Sequence, residues 1–272
     1  MSSSRTTLPA AGEEFTLDAL RGDGLERAAA VLRERGLVQL RGLGGRSDVL
    51  DTAVLLMSEP WQHRDADPDG LTVIRDTGQH DGRAGFAGLG RGDLELHTEC
   101  AQLPRPPRLM VLACVRAAED GGESLVVDGK AVLAELAASR PAALEALSAP
   151  RAAYFGGSDG QFAPVLEHLR GGQWRLRLRQ DELARFSPEA QAHFPALRRA
   201  VEHHTSRMRL ACGQALVLDN HRVLHGRTRF TGERLLLRAL GWPRPALGME
   251  AGFPSPCSAA GPAVTAFAAD RG

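Results

Sequence analysis

The sequence predicts a mainly β fold with flanking helices, a β-sandwich or jelly roll. Three observations lead there. Many segments of strand length are either apolar throughout or alternate apolar with polar residues. Helical patterns are confined to the start of the chain and to insertions between those segments. No internal repeat, dinucleotide fingerprint or phosphate loop points to a different architecture.

The 272 residues are 43% hydrophobic, enough for one large domain with an ample core. Lys+Arg 33 balance Asp+Glu 33, so net charge argues against nucleic acid or an anionic membrane as partner. The start of the chain lacks the apolar core of a signal peptide, and no apolar run reaches the length of a membrane span. Cys100, Cys114, Cys212 and Cys257 are widely spread without a CxxC pair, which fits a reduced compartment. A soluble cytoplasmic protein acting on a small molecule is therefore expected, with a homo-oligomer left open.

In chain order, residues 1–14 read as a flexible arm. Leu25, Ala28, Ala29 and Leu32 lie at helical spacing and the pattern stops at Gly36. Residues 37–40 read as a strand, 54–57 as part of a short helix and 71–74 as another strand. The stretch 76–92 carries six glycines and little periodicity, the signature of a long loop, and is expected to act as a lid. Residues 109–114 form a continuous apolar run, suited to a strand buried on both faces. Gly121-Gly122-Glu123-Ser124 predicts a turn into the strand 125–127, followed by helices over 130–138 and 141–147, the second opened by Pro141. Residues 174–179 alternate as a half-buried strand should. Ser187 caps a helix whose stripe runs through Leu197, Val201 and Met208 to Gly213; His203 and His204 fall within it and read as solvent or packing residues. Strands follow at 215–218 and 234–240. Residues 15–242 are expected to make one domain, and 243–272 a loosely held tail.

The chemistry concentrates at Leu94-Glu95-Leu96-His97-Thr98-Glu99. In a strand, residues i and i+2 leave the same face, so His97 and Glu99 can converge on one point. The pair alone is weak evidence, because 9 His and 33 acidic residues give roughly one such match by chance, and His63-Arg64-Asp65 is another. His63 lies in a loop-like stretch, however, whereas His97 sits in an alternating one. His225, after an apolar strand and before a glycine, is the candidate third ligand. Two imidazoles and a carboxylate on one face of an ion leave open positions, as in non-haem Fe(II) oxygenases. A helical turn would instead pair His221 with His225 as a zinc site for a hydrolase or isomerase. A non-catalytic metal- or ligand-binding module is the other alternative. Arg234 and Arg238, four residues apart on a strand, share a face and could pair with a dicarboxylate through their planar forks.

These residues carry a resemblance. With Pro106-Pro107, Gly121-Gly122-Glu123-Ser124, Asp219-Asn220, His225-Gly226-Arg227 and Arg234 to Arg238, the chain resembles the taurine dioxygenase family of Fe(II)/2-oxoglutarate-dependent oxygenases, in its clavaminate synthase-like branch, from about residue 36 to 242. The resemblance implies a double-stranded β-helix, Fe(II) held by His97, Glu99 and His225, and 2-oxoglutarate gripped by Ser124 and Arg234, with Arg238 turned to an acidic group of the substrate. It further implies O₂-dependent oxidation, with hydroxylation the leading outcome, of a small amino-acid-like substrate. Glu99 stands where many members have Asp, and Ser124 where many have Thr.

Overall fold

A computed structural model describes residues 14–79 and 85–256. The expected arm thus lies, apart from Glu14, outside the described residues, as do part of the expected lid loop and the end of the tail. The fold is mainly β with helices on both sides. The larger sheet has seven strands. Its order is Glu14–Thr16, Leu37–Arg41, Gln214–Asp219, Leu109–Arg116, Leu235–Pro243 and Met57–Trp61, with Thr72–Ile74 also pairing with the Leu235–Pro243 strand. The smaller sheet has four, in the order Ser206–Met208, Ser124–Asp128, Val223–Arg227 and Leu94–His97.

Strand periodicity explains how these sheets stack. On the larger sheet, Leu109, Val111, Ala113, Ala215, Val217, Leu237 and Ala239 point to one side, where they pack with three N-terminal helices. These are α1 (Leu17–Arg21), α2 (Gly24–Arg35) and α3 (Arg46–Leu56). The intervening Met110, Cys114, Leu216, Leu218, Leu236 and Leu240 point the other way and meet Val126 and Val223 of the smaller sheet. The outer side of that sheet, through Val127 and Leu224, packs on α4 (Gly129–Ser139), α5 (Pro141–Ser148) and α6 (Pro188–His203). The order is helices, sheet, sheet, helices. A residue's parity along a central strand therefore decides whether it enters a helix-backed core or the space between the sheets.

Local signals set most boundaries. Gly36 closes α2 in the left-handed region at φ 75°. Asp128 caps α4 by accepting from Lys130 N, and Ser187 caps α6 by accepting from Ala190 N. At Gly121, φ is +68° and an added Cβ would lie 2.1 Å from the Arg229 carbonyl oxygen, so the turn into the Ser124 strand admits only glycine.

The structure departs from sequence expectation in four places. The short helix at 54–57 is the end of the longer α3, and Met57–Trp61 is a strand whose polar Ser58 and Glu59 hid it. Alternation at 174–179 fails at Arg177, which is buried and donates to the carbonyls of Ala101 and Leu103. The helix expected to run to Gly213 ends at His203, and Met208 lies in a strand paired with Ser124. The segment past Pro243, expected to be loose, is docked as far as the description extends. Leu247 and Phe253 are buried, and Phe253 pairs with Trp174.

Candidate metal centre and its pocket

The pocket between the sheets is lined by all six side chains singled out in the sequence: His97, Glu99, Ser124, His225, Arg234 and Arg238. They arrive from both sides. His97 ends its strand and pairs across the smaller sheet with His225. Ser124 opens the adjacent strand and pairs with Arg227. Arg238 comes from the larger sheet with Leu236, on the face that alternation directs inward, and Arg234 stands just before that strand.

Glu99 reaches the site differently from the simple i, i+2 expectation. The strand stops at His97, and Glu99 lies in the turn that follows. Asn220 holds it there. The Asn220 side-chain oxygen accepts from Glu99 N at 2.7 Å, while its amide donates to the Glu99 carbonyl at 3.0 Å and the Pro107 carbonyl at 2.8 Å. Cys100 then takes a positive φ of 55°, a strained value for a residue with a side chain. In sequence Asn220 belongs only to the Asp219-Asn220 pair, and no local pattern shows that its amide serves Glu99 and Pro107.

The result is a cluster of ligand-type atoms. His97 Nδ1 lies 2.8 Å from the Glu95 carbonyl oxygen, to which it must donate, and this leaves Nε2 as the ring nitrogen turned to the pocket. That Nε2 is 3.7 Å from Glu99 Oε1, and His225 Nε2 is 3.5 Å from the same oxygen. The two rings sit 4.3 Å apart. Two imidazole nitrogens and a carboxylate oxygen converging on one point make a donor set that fits a divalent ion with nitrogen and oxygen ligands. The backbone bond at His97 Nδ1 is the kind of outer contact that fixes ring orientation in such sites.

Electrostatics favour the deprotonated, ligand-ready forms. Burial pushes the Glu99 carboxyl up, but Arg238, which donates to Glu99 Oε1, and the two imidazoles outweigh it, holding the group well below its ordinary value. Burial and the neighbouring His97 lower His225 to about 4, against the opposing pull of Glu99. Cys100 is pushed up to about 12 by burial and the nearby carboxylate, so it stays a thiol.

Arg234 stands apart. It is 8% exposed, makes no ion pair or hydrogen bond among the described residues, and is lowered to about 10 mainly by burial. A buried guanidinium without an anion is costly to keep, and this one lines the same pocket as Ser124. Arg227, on the inward side of the His225 strand, donates to the carbonyls of Gly88, Gly90 and Gly92 at 3.4, 2.9 and 2.6 Å. The described end of the expected lid is thereby tied to the metal-site strand.

The two decoys in the sequence fare differently. His221 lies in the turn between strands, so it forms no helical pair with His225. Its Nε2 meets the Pro106 carbonyl, and it belongs to no ligand cluster among the described residues. His63 does enter the pocket, grouped with Glu99 and Cys100, although its loop gave no sign of it. Its Nδ1 accepts from Asp65 N at 3.2 Å, and burial lowers its pKa.

The family described as Taurine catabolism dioxygenase TauD, TfdA family matches residues 4–240. A uridine-5'-phosphate dioxygenase from Streptomyces sp is 28% identical over 200 residues, covering 66% of this chain and 72% of that protein. Among solved structures, asparagine oxygenase with Fe(II), 2S,3S-3-hydroxyasparagine and succinate superposes with a TM-score of 0.67 at 21% identity, covering 83% of each chain. The non-heme iron oxygenase OrfP, with Fe, succinate and (3S)-hydroxy-L-Arg, gives 0.65 at 18% identity, covering 83% of this chain and 84% of that one.

Proposed function

The chain belongs to the taurine catabolism dioxygenase TauD, TfdA family, and on that premise we propose that His97, Glu99 and His225 hold Fe(II) while Ser124 and Arg234 hold 2-oxoglutarate. The observation carrying this proposal is the convergence of His97 Nε2, Glu99 Oε1 and His225 Nε2, all within 4.8 Å of one another, in a pocket that also holds an unpaired buried arginine. Bound there with the keto acid and O₂, the iron supplies the oxidising power that couples decarboxylation of 2-oxoglutarate to succinate with oxidation of an unactivated C–H bond.

The chain's own residues bind, orient and exclude water. Arg234 offers a fixed charge and a planar fork to the far carboxylate, and Ser124 a hydroxyl beside it. Asn220 fixes the backbone that aims Glu99. Arg238, paired with Glu99, is placed to exchange part of that contact for an acidic group of the substrate. Arg227 anchors the 85–92 segment along the pocket, limiting water entry.

The two facing sheets read as the double-stranded β-helix of such oxygenases, in one unit over 15–242. The substrate reading is a small amino-acid-like molecule that is hydroxylated. Its support is the pair of structural neighbours bound to hydroxylated asparagine and arginine.

The test is anaerobic addition of Fe(II) and 2-oxoglutarate to the full chain, followed by oxygen. A visible charge-transfer band and then succinate release are expected. Folded, metal-replete protein giving neither would overturn the iron and 2-oxoglutarate assignment. Succinate release screened with free amino acids and with uridine 5'-phosphate tests the substrate class, and a response to the nucleotide alone would overturn it.

A further inference from the structure

A second convergence of ligand atoms lies on the other side of the smaller sheet, in the helical layer. There α4 packs against α6, bringing Glu135 of α4 to the C-terminal end of α6. His203 Nδ1 is 2.7 Å from Glu135 Oε2, and His204 Nε2 is 3.0 Å from the same oxygen. Adjacent residues within a helix point about 100° apart and would not share a target. His204 escapes that rule because it is the C-cap, with φ −95° and ψ 7°, outside the regular turn. The two rings stack, with centroids 4.7 Å apart and planes at 29°.

We propose that Glu135, His203 and His204 form a second divalent metal site, of the zinc type, separate from the oxygenase pocket. Both nitrogens and the oxygen fall within 4.8 Å of one another. Around zinc, tetrahedral ligands at roughly 2.0–2.1 Å would stand about 3.3 Å apart, so the 2.7 and 3.0 Å separations would widen by about 0.3 to 0.6 Å on binding. His204 Nε2 is buried, and despite its closeness to Glu135 Oε2 it makes no aligned hydrogen bond. His203 Nδ1 is hydrogen-bonded to Glu135 Oε2 while His204 Nε2 approaches the same oxygen without such a bond, so both nitrogens converge on one carboxylate oxygen, beside which an ion would sit. Two neutral imidazoles and one carboxylate select zinc or copper over magnesium or calcium. The carbonyl end of α6 adds negative partial charge. His203, with a side chain 55% exposed, leaves a side open for a water ligand and for metal entry.

The site does not depend on the iron assignment, and its test removes the iron site first. Full-length His97→Ala protein is dialysed against Zn²⁺ alone and its bound zinc counted, then the count is repeated with His203→Ala and His204→Ala added. The pair of substitutions is expected to remove one tightly held zinc per chain. An unchanged count, or no tightly held zinc in the His97→Ala parent, overturns the site in favour of a simple His–Glu ion pair. Should the added substitutions disturb folding by circular dichroism, Glu135→Gln replaces them, keeping side-chain shape and hydrogen bonding while removing the charge. That variant is expected to weaken zinc binding by about tenfold or more, and unaltered affinity would be equally fatal.

Discussion

The two sheets bring opposite chemistry to one pocket. The smaller sheet supplies imidazoles, His97 and His225, with Glu99 in the turn beyond its edge and with Arg227 committed to backbone carbonyls. From the side of the larger come cations, Arg238 and, just before its strand, Arg234. On one side, two imidazoles and Arg238 converge on one buried carboxylate; on the other, Arg234 is buried with no anion. The second half is unfavourable alone, since an unpaired charge in a low dielectric is poorly solvated, and the first holds more ligand-type atoms than its own contacts need. Such local frustration teaches that the pocket is shaped for ligands more than for stability. A metal ion would occupy one half and a dicarboxylate relieve the other.

That contrast can be broken one half at a time. The largest effect is expected from His225→Ala, which should abolish Fe(II) binding in an equilibrium dialysis assay; retained stoichiometric iron would detach the smaller sheet from metal chemistry. Arg234→Ala should leave iron binding intact and raise the 2-oxoglutarate dissociation constant by roughly 100-fold or more, measured by titration of the charge-transfer band. An unchanged constant would remove Arg234 as the anchor.

Next comes Asn220→Ala, which strips three hydrogen bonds from buried backbone. A loss of about 2–4 kcal/mol in denaturant unfolding is expected, with weaker iron binding because Glu99 is no longer aimed. Arg234→Met should work in the other direction, stabilising the ligand-free protein by about 1 kcal/mol or more. A lower melting temperature in Arg234→Met would show that the arginine is satisfied without ligand.

The last effect concerns pH. His221 and His225 are both lowered to about 4 in the folded protein, chiefly by burial, from 6.5. The unfolded chain therefore binds more protons between those values. Stability of the metal-free protein should fall as pH drops from 6.5 toward 4 and be fully present above 6.5. His221→Asn should flatten that fall, and an unaltered pH profile would show that its burial is not what the titration reports.

How much was legible beforehand varied with the range of the signal. Helix starts at Ser187 and Pro141 and the glycine stop at Gly36 are written within a few residues, because capping and backbone conformation are local. The fully apolar run at 109–114 likewise announced a strand buried on both faces. Met57–Trp61 was hidden because a strand with three exposed central residues has no apolar alternation. Arg177 breaks the pattern because a buried guanidinium that donates to two carbonyls looks, in sequence, like a solvated one.

For the pocket, the sequence by itself determined the inventory: a His-x-Glu after alternating residues, a histidine after an apolar strand, a serine after two glycines, and an Arg-x3-Arg pair. These follow from residue type and spacing, and the resemblance grouped them. Only the tertiary structure decided which groups meet. It moved Glu99 off the strand and onto Asn220, drew His63 into the pocket from a loop without periodicity, parked His221 on the Pro106 carbonyl, and set Glu135 against His203 and His204. Each depends on where one element crosses another. That crossing is fixed by the summed packing of both cores, not by the few residues that gain a partner from it.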